Sequence, residues 1–135
     1  MQRTLSFFGD GDMPLALGEA NALPLLRPAA VERLARKLDV AETRLLDVSS
    51  IPTRTFHRRQ KLDQPLSATE SDRLLRIARV ASEAVRVLGS EEKARRWLSK
   101  DNRLLGAQPL ELLATDGGAC AVEAELHRID WGDFS

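Results

Sequence analysis

The sequence predicts an all-α protein on three observations. The 135 residues are rich in Leu, Ala, Arg and Glu, aromatics are 4% and tyrosine is absent, a composition that favours helices over strands. Apolar residues recur at steps of three and four, most clearly at Leu74, Ala78, Ala81, Val85 and Leu88, the period of a helix with one buried face. Start and stop residues punctuate those runs at Pro28, Ser67 and Gly89, as helix termini require.

Taken in order, residues 1–27 carry Gly9, Gly11, Pro14, Gly18 and Pro24 with no sustained period and read as an extended or partly disordered arm. The Gly9-Asp10-Gly11-Asp12 stretch is a turn rather than a phosphate loop. Pro28 is placed as the first residue of a helix that carries Val31, Leu34, Ala35 and Leu38 and ends near Asp39. A short helix follows from about Ala41 to Ser49 with Leu45 and Leu46 inward, then a break, then a third helix from Pro52 to about Lys61.

Pro65 closes this first unit, residues 28–65. Ser67-Ala68-Thr69-Glu70 is a capping box, in which a hydroxyl and a carboxylate satisfy the free amides of a helix start. It opens a second unit, residues 66–135, with the periodic helix to Leu88 and the terminator Gly89. Ser90 caps a further helix bearing Ala94, Trp97 and Leu98, with Trp97 read as core packing, and Pro109 opens a short one through Leu112 and Leu113. Gly117-Gly118 reads as a break, after which Ala119, Val122, Leu126 and Ile129 mark a last amphipathic helix, leaving Trp131–Ser135 as a tail.

No apolar run reaches the length of a membrane-spanning helix, and the first residues lack the pattern of a secretory leader. A cytoplasmic protein with no membrane partner is expected. Cys120 is the single cysteine and reads as a small packing residue. The formal net charge is zero, but it is unevenly laid down. Arg54 to Lys61 holds four cations and no carboxylate, whereas Pro109 to Ser135 holds six carboxylates against Arg128 alone. Such asymmetry points to one polyanionic partner and one of different, cationic character.

The basic stretch coincides with a helix-turn-helix spacing. Leu46, Ser50, Ile51 and Phe56 occupy the crossing, turn and inward positions of that motif, although the common pattern has Ala at the first and Gly at the second. The exposed residues of its second helix enter the major groove. Thr53, Arg54, His57 and Arg58 fall on those positions, with Thr55 beside them, and Arg59 and Lys61 are placed on phosphates. Arginine suits the role because its planar fork reaches guanine edges bidentately, and counterion release from phosphates supplies most of the affinity. One unit covers one half-site, so a homodimer on operator DNA is expected.

The ordered blocks Ile51-Pro52-Thr53-Arg54-Thr55-Phe56-His57-Arg58-Arg59, Glu70-Ser71-Asp72-Arg73-Leu74, Ala94-x-x-Trp97-Leu98, Asn102-Arg103-x-Leu105-Gly106 and Pro109-Leu110-x-Leu112-Leu113 carry a resemblance. Thr115-Asp116-x-Gly118, Val122-Glu123 and Leu126-x-Arg128-Ile129-x-x-Gly132 continue it. Over residues 28–135 the chain resembles the Xre-type antitoxins of RES–Xre toxin–antitoxin pairs, which carry an MbcA/ParS/Xre toxin-binding domain. The resemblance implies a homodimeric, self-repressing antitoxin whose last helix and tail approach the NAD pocket of a RES-domain toxin. It assigns Glu125, Arg128, Asp130, Trp131, Asp133 and Phe134 to toxin contact. The aromatic and acidic tail suits that role, since aromatic anchors dominate interface energy and dinucleotide pockets tend to be basic.

Neither catalysis nor a cofactor is expected. His57 and His127 stand apart, no Cys/His set has metal-ligand spacing, no Gly-rich loop cradles phosphate, and Glu123 and Glu125 sit on different faces of their helix. The alternative reading is a dimeric helix-turn-helix regulator with no toxin partner.

Overall fold

A computed structural model describes residues 25–132. The arm up to residue 24 and the tail residues Asp133 and Phe134 lie outside the described residues. Among the described residues seven helices follow one another: α1 (Ala29–Leu38), α2 (Glu42–Val48), α3 (Thr53–Lys61), α4 (Ala68–Leu88), α5 (Glu91–Leu98), α6 (Pro109–Leu112) and α7 (Asp116–Gly132). No strand is found among the described residues; the one ladder contact is an isolated bridge between Asn102 and Ala107. The fold is all-α, a helix-turn-helix unit followed by a helical C-terminal domain, as the composition and periodicity require.

The punctuation residues do what their chemistry predicts. Asp39 ends α1 in the left-handed region, and its amide bonds back to the carbonyls of Ala35 and Arg36. The capping box forms at α4: the Glu70 amide donates to Ser67 Oγ at 3.1 Å and the Ser67 amide donates to Glu70 Oε1 at 2.8 Å. Gly89 closes the same helix at φ 98°, a conformation that glycine adopts without a Cβ penalty. The Lys93 amide donates to Ser90 Oγ at the start of α5.

Helix α4 is the axis of the molecule. Besides Leu74, Ala78 and Ala81 it buries Ile77, Val80, Ala84 and even Arg76 and Ser82, so contact covers more than one side of its middle and leaves the side of Arg79 exposed. A single stripe describes a helix lying on a core; a helix packed by neighbours on several sides needs more than one. The helices α5 and α7 pack along it, and Val85 and Leu88 of the predicted stripe end up half-buried against the core. Trp97 is likewise half-buried against it, while Ala94 and Leu98 are buried.

Residues of both sequence units enter one continuous core. Leu26 is fully buried, its amide donating to Ser71 Oγ at 2.9 Å and its carbonyl accepting from the Leu66 amide at 2.8 Å. The packed unit therefore begins before Pro28, because Leu26 is pinned between the loop preceding α4 and the first turn of α4 itself.

The expected break at Gly117-Gly118 does not occur. Both glycines lie in the first turn of α7, which starts at Asp116. Thr115 Oγ1 accepts from the Gly118 amide at 2.9 Å and so caps the helix in the manner of threonine at a helix start. Glycine at 118 answers to space, since a Cβ there would lie 1.8 Å from the Leu112 carbonyl oxygen. The helix also continues through Trp131 and Gly132, so the predicted tail is helical up to that point. Cys120, expected as a packing residue, is exposed on α7.

Candidate functional site

The helix-turn-helix is α2, a four-residue turn and α3. Leu46, Ile51 and Phe56 are each at most 3% exposed, and the Ile51 amide donates to the Leu46 carbonyl at 2.9 Å across the turn. Ser50 holds φ 56°, the left-handed conformation that explains why glycine is the common residue at this position. The departure at Ser50 is thus a local strain carried within the expected geometry.

Three side chains tie the inner face of α3 down. Phe56 enters the core, Gln60 Nε2 donates to Glu32 of α1 at 3.0 Å, and Arg59 Nε donates to Glu70 Oε1 at 2.9 Å. Their spacing of three and four puts them on one face. The opposite face carries Arg54, His57, Arg58 and Lys61, all exposed, with Thr53 exposed at the helix start and Thr55 half-buried. Arg54, Arg58 and Lys61 take part in no ion pair or side-chain hydrogen bond among the described residues. Arg59 differs from its neighbours: its guanidinium is largely buried and engaged with the same carboxylate oxygen that closes the α4 capping box.

The acidic C-terminal stretch has a different character. Asp116 pairs with Arg76, Glu123 with Arg79 at 3.4 Å, and Asp130 with Arg86 at 3.1 Å, all three arginines projecting from α4. Glu111 approaches Arg44 of α2 at 3.8 Å. Glu125 is buried and clamped by Arg128 through two hydrogen bonds of 2.8 and 2.9 Å. The charge asymmetry read along the sequence is therefore largely neutralised in three dimensions by arginines from distant positions.

Arg76 is the most deeply placed of these. It is 9% exposed, and besides Asp116 its guanidinium donates to the carbonyls of Leu113 and Ala114 at 3.3 Å each. Those carbonyls end α6 and begin the link to α7, where backbone acceptors lack helical partners. Sequence reasoning missed Arg76; its neighbours Ile77, Val80 and Ala84 form a second period-matched stripe that signals burial of that side of α4.

Of the residues assigned to partner contact, Glu125 points inward and Asp130 is held by α4. Arg128 is half-exposed and Trp131 is 74% exposed at the end of α7, its ring 5.9 Å from that of His127 one turn earlier. The described residues contain no group of three or more His, Cys, Asp or Glu able to hold a metal ion, and no helix among them is long and apolar enough to cross a membrane.

A basic, outward-facing second helix on a helix-turn-helix that shares its core with the helices after it places the chain among helix-turn-helix proteins. Residues 14–79 match the antitoxin Xre-like helix-turn-helix domain, and residues 83–132 match the antitoxin Xre/MbcA/ParS C-terminal toxin-binding domain. The first match starts at residue 14, inside the segment read as an arm. An Antitoxin Xre of Pseudomonas putida is 45% identical over 83 residues, covering 61% of this chain and 52% of that protein. An Antitoxin Xre of Yersinia enterocolitica is 34% identical over 98 residues, 71% of this chain and 66% of that protein. A third, from Photorhabdus laumondii, is 33% identical over 93 residues, 67% of this chain and 63% of that protein. The chain belongs to the Xre-type antitoxin family. It spans between half and two thirds of the length of these relatives.

Proposed function

We propose that this chain is the antitoxin of a type II toxin–antitoxin pair, a cytoplasmic, non-catalytic homodimer that represses its own operon and blocks a RES-domain, NAD-consuming toxin. The observation that carries the reading is a basic helix face with no counter-charge among the described residues, on the same chain as a match to a toxin-binding domain. Arg54 and Arg58 reach base edges, Thr53, Thr55, His57 and Lys61 support them at bases and phosphates, and Arg59 orients the helix by gripping Glu70. Two half-sites require two copies of the helix.

At the other end, the exposed Trp131 is the side chain set to meet the toxin, with the half-exposed Arg128 one turn before it and Asp133 and Phe134 following in the chain. An exposed tryptophan at a helix end is the kind of anchor on which interfaces concentrate their energy.

The test is co-expression with the open reading frame beside this gene, scoring growth and cellular NAD. Growth arrest and NAD loss from the neighbour alone, reversed by this chain, is the expected result. Truncation before Trp131 should spare operator binding and impair rescue. Arg54→Ala with Arg58→Ala should abolish operator binding, each guanine contact being worth about 1–3 kcal/mol, and leave rescue intact. A harmless neighbour and unchanged NAD would leave a helix-turn-helix regulator without a toxin.

A further inference from the structure

We infer that Arg86 is a positioning residue for the partner-facing end of α7, and that Asp130 serves as its internal counterpart rather than as a contact to the toxin. The inference rests on the reading that this end of α7 meets the toxin.

The last turn of a helix has free carbonyls and frays unless something ties it. In α7 the buried apolar contacts stop at Leu126, Ile129 is half-buried, and Trp131 and Gly132 are exposed. In this turn Asp130 Oδ2 accepts from Arg86 Nη2 of α4 at 3.1 Å, which ties it to another helix. Arg86 lies in the last turn of α4, three residues before Gly89 closes that helix.

The guanidinium is set in advance. Glu83, one turn earlier on α4, accepts from Arg86 Nε at 3.1 and 3.2 Å and also from Nη2. A side chain already held by its own helix loses less rotamer freedom when it reaches a second. These contacts raise the pKa of Arg86 above its ordinary value, led by the hydrogen bond to Glu83. Trp131 follows Asp130 directly, so the position of the aromatic anchor depends on this grip. Anchors fixed before binding bind better because the ordering cost is already met.

The experiment is a double-mutant cycle on the full chain with Arg86→Ala and Asp130→Ala, read by amide exchange of residues 130–132 in the free protein and by affinity for the toxin. Each single change should speed exchange in the last turn and weaken toxin binding by about three- to fivefold at low salt, the upper part of the range of exposed ion pairs. The double variant should go no further, and operator affinity should not move. Exchanging the charges, Arg86→Asp with Asp130→Arg, should restore both readouts to within about twofold, a rescue that a general structural role would not give.

If Asp130→Ala weakens toxin binding as much in the Arg86→Ala background as in the native chain, Asp130 touches the toxin and the inference fails. It also fails if exchange at residues 130–132 is unchanged by Arg86→Ala. A native chain that binds no toxin would overturn the antitoxin reading instead, while amide exchange would still decide whether Arg86 holds the helix end.

Discussion

The two charged surfaces of the molecule differ in what becomes of their charge after folding. On α3 the inward residues Phe56, Arg59 and Gln60 are all engaged, and the outward cations Arg54, Arg58 and Lys61 keep their charge for solvent. On α7 the relation is reversed: Glu123, Glu125 and Asp130 are paired with arginines, and the large side chain left outward at its end is Trp131. A surface whose charges are internally matched exerts little long-range pull, whereas an unmatched basic stripe attracts a polyanion from a distance. If the basic face meets DNA as proposed, that interaction should be steeply salt-dependent and the α7-side interaction much less so.

Four substitutions sharpen or break that contrast. Gly118→Ala should have the largest effect, a loss of about 3 kcal/mol in urea unfolding, because the added Cβ meets the Leu112 carbonyl and separates α6 from α7. Arg76→Ala comes next at about 2 kcal/mol, since the Leu113 and Ala114 carbonyls lose a charged donor. Both act on the C-terminal side, so operator affinity per folded molecule should hold; if it collapses, the two surfaces are not independent.

Ser50→Gly acts on the other side. It should raise the unfolding free energy by roughly 0.5–1 kcal/mol, the relief of left-handed strain less the extra freedom glycine gains in the unfolded chain. Operator affinity should stay within about twofold, since the basic stripe does not move. Arg79→Ala should be the smallest, below about 0.5 kcal/mol, because its pair with Glu123 is exposed on both sides. A larger thermal shift there would mean that the α4–α7 ion pairs act as a network.

Local signals carried most of the helices and the whole helix-turn-helix. The Ser67 capping box, Gly89 and the Leu46–Phe56 spacing are decided within a few residues, and the structure shows each of them. What stayed hidden depended on partners far along the chain. Asp116 meets Arg76 and Asp130 meets Arg86 across about 40 residues, so counting charge in a window overstated how acidic the C-terminal surface is. Gly117-Gly118 misled for a nearer reason: glycine marks either a turn or a close approach, and at Gly118 the Leu112 carbonyl, one short helix back, decides for the approach. The buried Arg76 was passed over because an arginine inside a helix normally counts as surface, although the Ile77, Val80 and Ala84 stripe beside it signals burial.

The continuity of α4 has a consequence for how such a chain could be taken apart. The two matched family domains end at residue 79 and resume at residue 83, and the three residues between them, Val80, Ala81 and Ser82, are buried in the middle of one unbroken helix. There is no linker at that boundary for a protease to cut or for recombination to use. A fragment starting at residue 83 would lack about four turns of its central helix, and a hybrid spliced there would have to rebuild the packing on both sides. New partners for either surface would then arise by substitution on a shared frame, with the two halves inherited as one piece.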